Sequence, residues 1–448
     1  MRILDSSVRK IKNSRNEETI EVTLKTKYGT FKASAPEGAS KGENEVKGFP
    51  IEGVDRAINF ISPVLIKLQN NFVHFREFQD LEIIEEEFRK VDKTPDFSLT
   101  GGNTLFAIEA AILKALSKTH RNKELWKFLL DEELNNPNNS QTKHKLNAEH
   151  NPNNLNIPLY QHRPKMPMQL GNCIGGGKHT KEIEKPDFQE FLFLAKSETF
   201  KDSFDINQKA YKEVKNLLRK KDKKFKGKVT DEKAFISSLN NEEIFSIFQE
   251  VQEKIKNKLE KTFEIGIDIA ASSFYNQKNK KYVYSNLQGQ PKQLTKEEQL
   301  NYIFQLIKKY NLAYVEDPFN ENDFDSFTKL LSKVKKEKLN TLIVGDDLTC
   351  TNSKLLKKAI SKKSINAVII KPNQVGSLLE TKKTLELAKK NNILPIISNR
   401  SGETEDDMLA QLAVGWQIPI IKIAIQGKER LAKTKKLLDI EKKIEKLY

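Results

Sequence analysis

The chain has 448 residues, of which 37% are hydrophobic and 31% charged, enough apolar material for a large core and two domains. No run approaches the ~18 consecutive apolar residues that a membrane-spanning helix needs, so no span is expected. The net charge of +16 is carried mostly by lysines along helical segments, with one dense run at 220–228 and little aromatic interleaving. This reads as a solvated surface and points to no specific nucleic-acid partner.

The N-terminus, Met1-Arg-Ile-Leu-Asp5, lacks the apolar core of a signal peptide. Cys173 and Cys350 form no C-x-x-C pair, and a reducing cytoplasm is expected. Residues 11–35 alternate, turn at Lys27-Tyr-Gly29 and return, which predicts a β-hairpin. The loop Pro36-Glu-Gly-Ala-Ser-Lys-Gly42 reads as a plain turn or as a mobile lid over a polar ligand. Helical periodicity at 54–69, 81–91 and 104–120 completes an α+β capping domain over residues 1–134.

Residues 135–165, rich in Asn, Pro and His, read as an exposed connector. His144, His150 and His162 match no standard metal-site spacing and are assigned to a solvated loop. An α/β barrel is expected over residues 166–448. Its first stretch ends in Gly175-Gly-Gly-Lys-His179. A phosphate loop is excluded there, because Asn172 stands where the first glycine belongs and His179 replaces Ser/Thr. A tight glycine turn that aims His179 into a site is expected instead. Gln189-Glu190 and Asp231-Glu232 add carboxylates. Helices are predicted at 204–220, 242–258, 295–310, 327–336, 353–362, 378–390 and 403–414. Asp406 and Asp407 read as first-turn helix acids.

Between residues 264 and 422, six short apolar runs each end in a polar or charged group. These are Asp268, Glu316, Asp346, Lys371, Arg400 with Ser401, and Lys422. Most neighbouring ends are roughly 20–30 residues apart, the length of one strand, one helix and two short loops. The polar insertion 276–281 and the helix at 295–310 lengthen the first interval. A parallel sheet built from such units puts every strand's C-terminal end on one face, where a closed barrel carries its active site. Three carboxylates and two lysines therefore converge.

Val315-Glu-Asp-Pro-Phe319, Gly345-Asp-Asp-Leu-Thr349, Lys371-Pro-Asn-Gln-Val-Gly376 and Arg400-Ser-Gly-Glu-Thr-Glu-Asp406 resemble, in this order, the motifs of the enolase family. Weaker matches are Asn13-Ser-Arg15, Gly38-Ala-Ser-Lys-Gly42, Gly102-Asn103 and Glu429-Arg-Leu-Ala-Lys433. The resemblance covers nearly the whole chain and is weakest in 43–100 and 135–165. It implies an N-terminal α+β domain capping an enolase-type, eight-stranded α/β barrel. It also implies a homodimer, Mg²⁺, and reversible dehydration of 2-phosphoglycerate to phosphoenolpyruvate.

By the same resemblance, Asp268, Glu316 and Asp346 match metal ligands, and Ser40 matches a lid serine near a second metal. Lys371 matches the base and Glu232 the general acid, with Glu190 beside it. Lys422 matches the lysine at the substrate carboxylate. Arg400 and Ser401 match phosphate contacts, and His179 and Gln189 match further substrate-side positions. A nearby Mg²⁺ and Lys422 are expected to lower the pKa of Lys371, and Glu190 is expected to keep Glu232 protonated. Four departures stand out. Asn399 occupies the family's histidine position, and Lys233-Ala234 replaces a glycine pair. Asn13-Ser-Arg-Asn-Glu-Glu18 departs from Asp-Ser-Arg-Gly-Asn-Pro, and two extra residues separate His179 from Glu190. Two alternatives remain, a partner-binding paralogue on the same fold and a related acid-sugar dehydratase. Arg400, Ser401 and the Ser40 loop favour a phosphorylated substrate over an unphosphorylated one.

Overall fold

The computed structural model describes residues 1–70, 73–120, 122–135 and 164–447. Most of the expected connector, with His144, His150 and His162, lies outside the described residues. The chain opens with an antiparallel meander of β1 (Asp5–Lys12), β2 (Glu18–Thr26) and β3 (Gly29–Ser34). The expected hairpin is β2–β3. The extra strand β1 pairs with β2 from Asp5↔Lys25 to Lys12↔Glu18. It is a charged edge strand with little apolar alternation, so its sequence gives a weak strand signal. Ile20, Val22 and Leu24 of β2 point inward and are fully buried. They pack in one core with helices α1 (Val54–Asn70), α2 (Glu82–Val91), α3 (Gly102–Thr119) and α4 (Leu125–Asn135). This core continues into the barrel's flank at Leu378, Met408, Trp416 and Ile440.

The second part is a closed ring of β4 (Met168–Gly175), β5 (Glu190–Leu194), β7 (Glu264–Asp268), β11 (Tyr314–Glu316), β12 (Leu342–Gly345), β13 (Ala367–Ile370), β14 (Leu394–Ser398) and β15 (Ile420–Lys422). The pairing of β15 with β4 closes it. Short β6 (Phe235–Ile236) lies beside the second half of β4. A separate sheet of β8 (Tyr275–Asn276), β9 (Lys281–Leu287) and β10 (Gln290–Leu294) accounts for the polar insertion. Ring neighbours are parallel except around β5, which runs antiparallel to both β4 and β7. Its first residue, Glu190, therefore stands on the same rim as the last residue of β7 and pairs with Asp268.

Continuous apolar runs form these strands because both faces are covered. On β13, Ala367 and Ile369 face the barrel interior, while Val368 and Ile370 face the helices outside. The outer helices are α5 (Phe200–Lys221), α6 (Asn241–Leu259), α7 (Lys296–Tyr310), α8 (Phe324–Lys336), α9 (Ser353–Lys362), α10 (Leu378–Lys390), α11 (Met408–Gly415) and α12 (Lys428–Leu447). The helix expected at 403–414 starts only at Met408, so Asp406 and Asp407 precede its first turn. Both are paired with Lys114 of α3, which joins the two parts of the molecule. No helix among the described residues is long and apolar enough to cross a membrane.

A second junction titrates. Glu109 of α3 is fully buried, and its Oε2 accepts from the Leu378 backbone N–H at 2.6 Å, at the start of α10. Burial raises its pKa well above the ordinary carboxyl value, and the neighbouring Glu85 raises it further. The folded chain therefore keeps a proton that the unfolded chain loses. Its stabilising contribution is complete below the unfolded pKa and is lost as pH rises through the folded one. Glu109→Gln keeps the acceptor and removes the titration. Its Tm should fall less than that of the wild type between about pH 5 and about pH 8. Thermal unfolding at the two pH values checks this, and parallel slopes would contradict it.

Candidate active site

The strand ends deliver their groups to one rim. β7 ends at Asp268, β11 at Glu316 and β15 at Lys422, while Asp346, Lys371 and Asn399-Arg400-Ser401 directly follow β12, β13 and β14. One cavity opens there. It is lined by every residue singled out from sequence except Glu316, which is completely buried behind Lys422. Ser40 reaches the cavity from the 36–42 loop, and Asn172, His179, Gln189, Glu190 and Glu232 reach it from the β4–β6 side.

The centre is a buried charge cluster. The Lys422 ammonium lies 2.9 Å from Glu190 Oε2, 3.0 Å from Asp268 Oδ2 and 2.7 Å from Glu316 Oε2. The Tyr314 hydroxyl donates to the same Glu316 oxygen. Lys371 pairs with Asp346, whose other oxygen accepts from Gln374 Nε2 at 3.0 Å. Burial works to lower the pKa of both lysines, but the facing carboxylates outweigh it and hold both protonated. Lys371 stands raised while Asp346 faces it alone. Lys422 and Arg400 do push it down, but Asp346 raises it more.

Glu190 and Glu232 shift in opposite directions. Burial pushes Glu190 up to about 8, and Glu232 and Asp268 add to this against Lys422. Burial favours the neutral form of Glu232 too, but His179, Arg430 and a hydrogen bond from Asn172 at 3.2 Å outweigh it and bring it down to about 2. These opposite shifts favour a proton on Glu190 over one on Glu232. His179 Nδ1 stands 3.7 Å from Glu190 Oε1.

At the far wall, Arg400 donates through Nη1 to Glu45 Oε2 at 2.9 Å and through Nη2 to Glu45 Oε1 at 3.2 Å. It also meets Asn373 Oδ1 at 3.1 Å and the Ser40 carbonyl at 3.3 Å. Ser401 Oγ accepts from the Ala39 N–H at 2.7 Å. Gly38 is needed for this approach, since a Cβ there would stand 1.9 Å from Arg400 Nη2.

Oxygens of Asp317, Asp346 and Asp347 suit a hard divalent cation, whereas Asp268, Glu316 and Asp346, expected from sequence, do not gather into so close a group. Glu316 Oε1 is buried with no hydrogen-bond partner. Carboxylate oxygens of Asp317, Asp346 and Asp347 lie within 4.8 Å of one another, as do ligand atoms of His179, Glu190 and Glu232.

The N-terminal domain of enolase matches residues 3–129, and its C-terminal TIM barrel domain matches residues 163–447. The enolase of Methanosphaera stadtmanae is 37% identical over 448 residues, covering 99% of this chain and 97% of the relative. The enolase of Methanothermobacter thermautotrophicus is 34% identical over 443 residues, with 99% and 97% covered. That of Picrophilus torridus is 33% identical over 446 residues, with 99% of each covered. The chain belongs to the enolase family.

Lys233 and Asn399 each sit in a defined local setting. Lys233 adopts a φ of 63°, the left-handed conformation that glycine takes at no cost. The turn is pinned by Lys233 N–H donating to the Thr230 carbonyl and by the Tyr211 hydroxyl donating to the Lys233 carbonyl. Asn399 spends its amide internally. Nδ2 donates to the Arg400 carbonyl at 3.0 Å, and Oδ1 accepts from the Ala424 N–H at 3.2 Å.

Sequence reasoning missed Glu45, Asp317, Asp347 and Arg430. The tandem acids of Glu316-Asp317 and Asp346-Asp347 were a visible signal. Asp317 accepts from the backbone N–H groups of Asp346 and Asp347 at 3.1 and 2.7 Å, which orients the β12 end. Arg430 is completely buried and donates to the carbonyls of Arg400 and Ser401 at 3.2 and 2.6 Å. Its signal was the Glu429-Arg-Leu-Ala-Lys433 match.

Gly38→Ala should displace the Arg400 guanidinium and break its pairing with Glu45. The expected cost is roughly 1–3 kcal/mol of stability with the fold retained. A urea titration checks this, and an unchanged midpoint would count against the close approach.

Proposed function

We propose that the chain catalyses the reversible dehydration of 2-phosphoglycerate to phosphoenolpyruvate in the presence of Mg²⁺. The observation that carries this reading is the meeting of Lys371, Lys422 and the acids Glu190, Glu232, Asp268 and Asp346 in one cavity, on a chain matched along its length by enolases. Asp268, Glu316 and Asp346 would hold Mg²⁺, with Ser40 near a second ion. Mg²⁺ bound there supplies positive charge that offsets the dianion formed when a proton leaves the carbon next to a carboxylate.

In this reading Lys371 takes the C2 proton. It must first be neutral, and Asp346 is what holds it charged. Lys422 and Arg400 would lower the Lys371 pKa if Asp346 were turned to a cation. Lys422 meets the substrate carboxylate, and Arg400 with Ser401 meets the phosphate. The Glu190–Glu232 pair supplies the proton for the departing hydroxide, assigned from sequence to Glu232 and stored on Glu190 in this arrangement. His179, Gln189 and Asn399 line the substrate side. The reading extends to a cytoplasmic homodimer, supported by the family resemblance and by two buried, unpaired cysteines.

Lys371→Ala is expected to stop exchange of the substrate's C2 proton with deuterated water and to lower turnover by roughly 10²–10⁴-fold. Binding of 2-phosphoglycerate should change little. NMR of the C2 proton reads the exchange, and undiminished exchange in the variant would move the base elsewhere.

Asn399 stands at what we read as the family's histidine position. Its amide holds the loop beside Arg400, and Lys371 with the carboxyl pair already supplies base and acid. Asn399→His should therefore change kcat/KM by no more than about tenfold. Steady-state kinetics test this. A gain of about a hundredfold would show that the wild type lacks a catalytic group.

A further inference from the structure

Glu45 lies in the stretch where the family resemblance is weakest, and no role was assigned to it from sequence. Its side chain is 5% exposed and faces Arg400 through both carboxylate oxygens. Oε1 also accepts from the Gly42 N–H at 3.1 Å and from Gln374 Nε2 at 3.3 Å. The same Gln374 nitrogen donates to Asp346 at 3.0 Å. One carboxylate therefore joins the base of the Ser40 loop, the guanidinium of the phosphate wall and the acid that faces Lys371.

We propose that Glu45 is a positioning residue that sets the orientation of Arg400 and with it the affinity for the substrate's phosphate group. This rests on the enolase reading for the substrate but not for the anion. A guanidinium is planar and carries five N–H donors in a fixed fork. A two-point carboxylate contact fixes its plane, which a single contact does not. The other acids acting on Arg400 are Glu37 and Asp346. Without Glu45, the guanidinium is left to Glu37 and, more weakly, Asp346. The remaining contacts, Asn373 Oδ1 and the Ser40 carbonyl, are neutral and weaker.

Glu45→Gln keeps the shape and removes the charge, while Glu45→Asp keeps the charge on a shorter arm. Calorimetry with inorganic phosphate and steady-state kinetics with 2-phosphoglycerate and Mg²⁺ should be run on the full chain and both variants. In Glu45→Gln, the phosphate Kd and the KM should each rise about tenfold or more, with kcat reduced less than about threefold. Glu45→Asp should restore at least half of that loss on a logarithmic scale. A merely structural role would lower Tm without separating KM from kcat. If Kd and KM in Glu45→Gln stay within about twofold of the wild type, the proposal is overturned. Wild-type protein that binds phosphate without turning over 2-phosphoglycerate would instead overturn the enolase reading, and the calorimetric comparison would still decide the role of Glu45.

Discussion

The structure depends most on one buried ammonium. Lys422 is surrounded by Glu190, Asp268 and Glu316 at 2.7–3.0 Å, in a buried position. Burying the ammonium alone would cost several kcal/mol, and it is tolerable only because these acids face it. The cluster in turn demands its barrel. Asp268 and Glu316 arrive from parallel neighbours, but Glu190 arrives from the opposite direction, because β5 is reversed in the ring. A regular parallel strand would have put that residue at the other end of the barrel. The local topology and the electrostatics are therefore one design. The unpartnered Glu316 oxygen and the clustered oxygens of Asp317, Asp346 and Asp347 offer ligand atoms to a cation.

The capping domain takes part in the site. Arg15, in the turn between β1 and β2, pairs with Asp231 at 3.0 Å, and Asp231 accepts from the Glu232 N–H at 3.0 Å. Ser14 Oγ accepts from Arg430, whose guanidinium holds the Arg400 and Ser401 carbonyls. Glu45 and the Ser40 loop close the same wall from above. The α3 helix meets the barrel through Lys114 with Asp406 and Asp407, and through Glu109 at the start of α10. These polar contacts fix the angle of the cap, while the shared apolar core provides its adhesion.

The barrel was legible because each strand end combined a buried apolar run with one charge, at the spacing of a strand–helix unit. The apolar run of β13 sends Ala367 and Ile369 into the barrel and Val368 and Ile370 towards the outer helices. What stayed hidden depended on three-dimensional neighbours. The direction of β5 has no local sequence signature, since five buried residues read the same either way. Strand β1 hid behind its charges, and the α11 start was misplaced because Asp406 and Asp407 look alike as helix acids or domain clamps. The location of the acid-side proton follows from Arg430 and His179 around Glu232, which are far from it in sequence. Glu45 was invisible because its partner, Arg400, lies in the other domain.

The central claim is that this cluster is a working enolase site despite Asn399 and Lys233-Ala234. The most direct test is the ultraviolet absorbance of phosphoenolpyruvate after 2-phosphoglycerate is added to the purified chain with Mg²⁺. The account predicts a steady rise that stops when a chelator is added and resumes with excess Mg²⁺. No rise at any Mg²⁺ concentration, from folded protein, would contradict it.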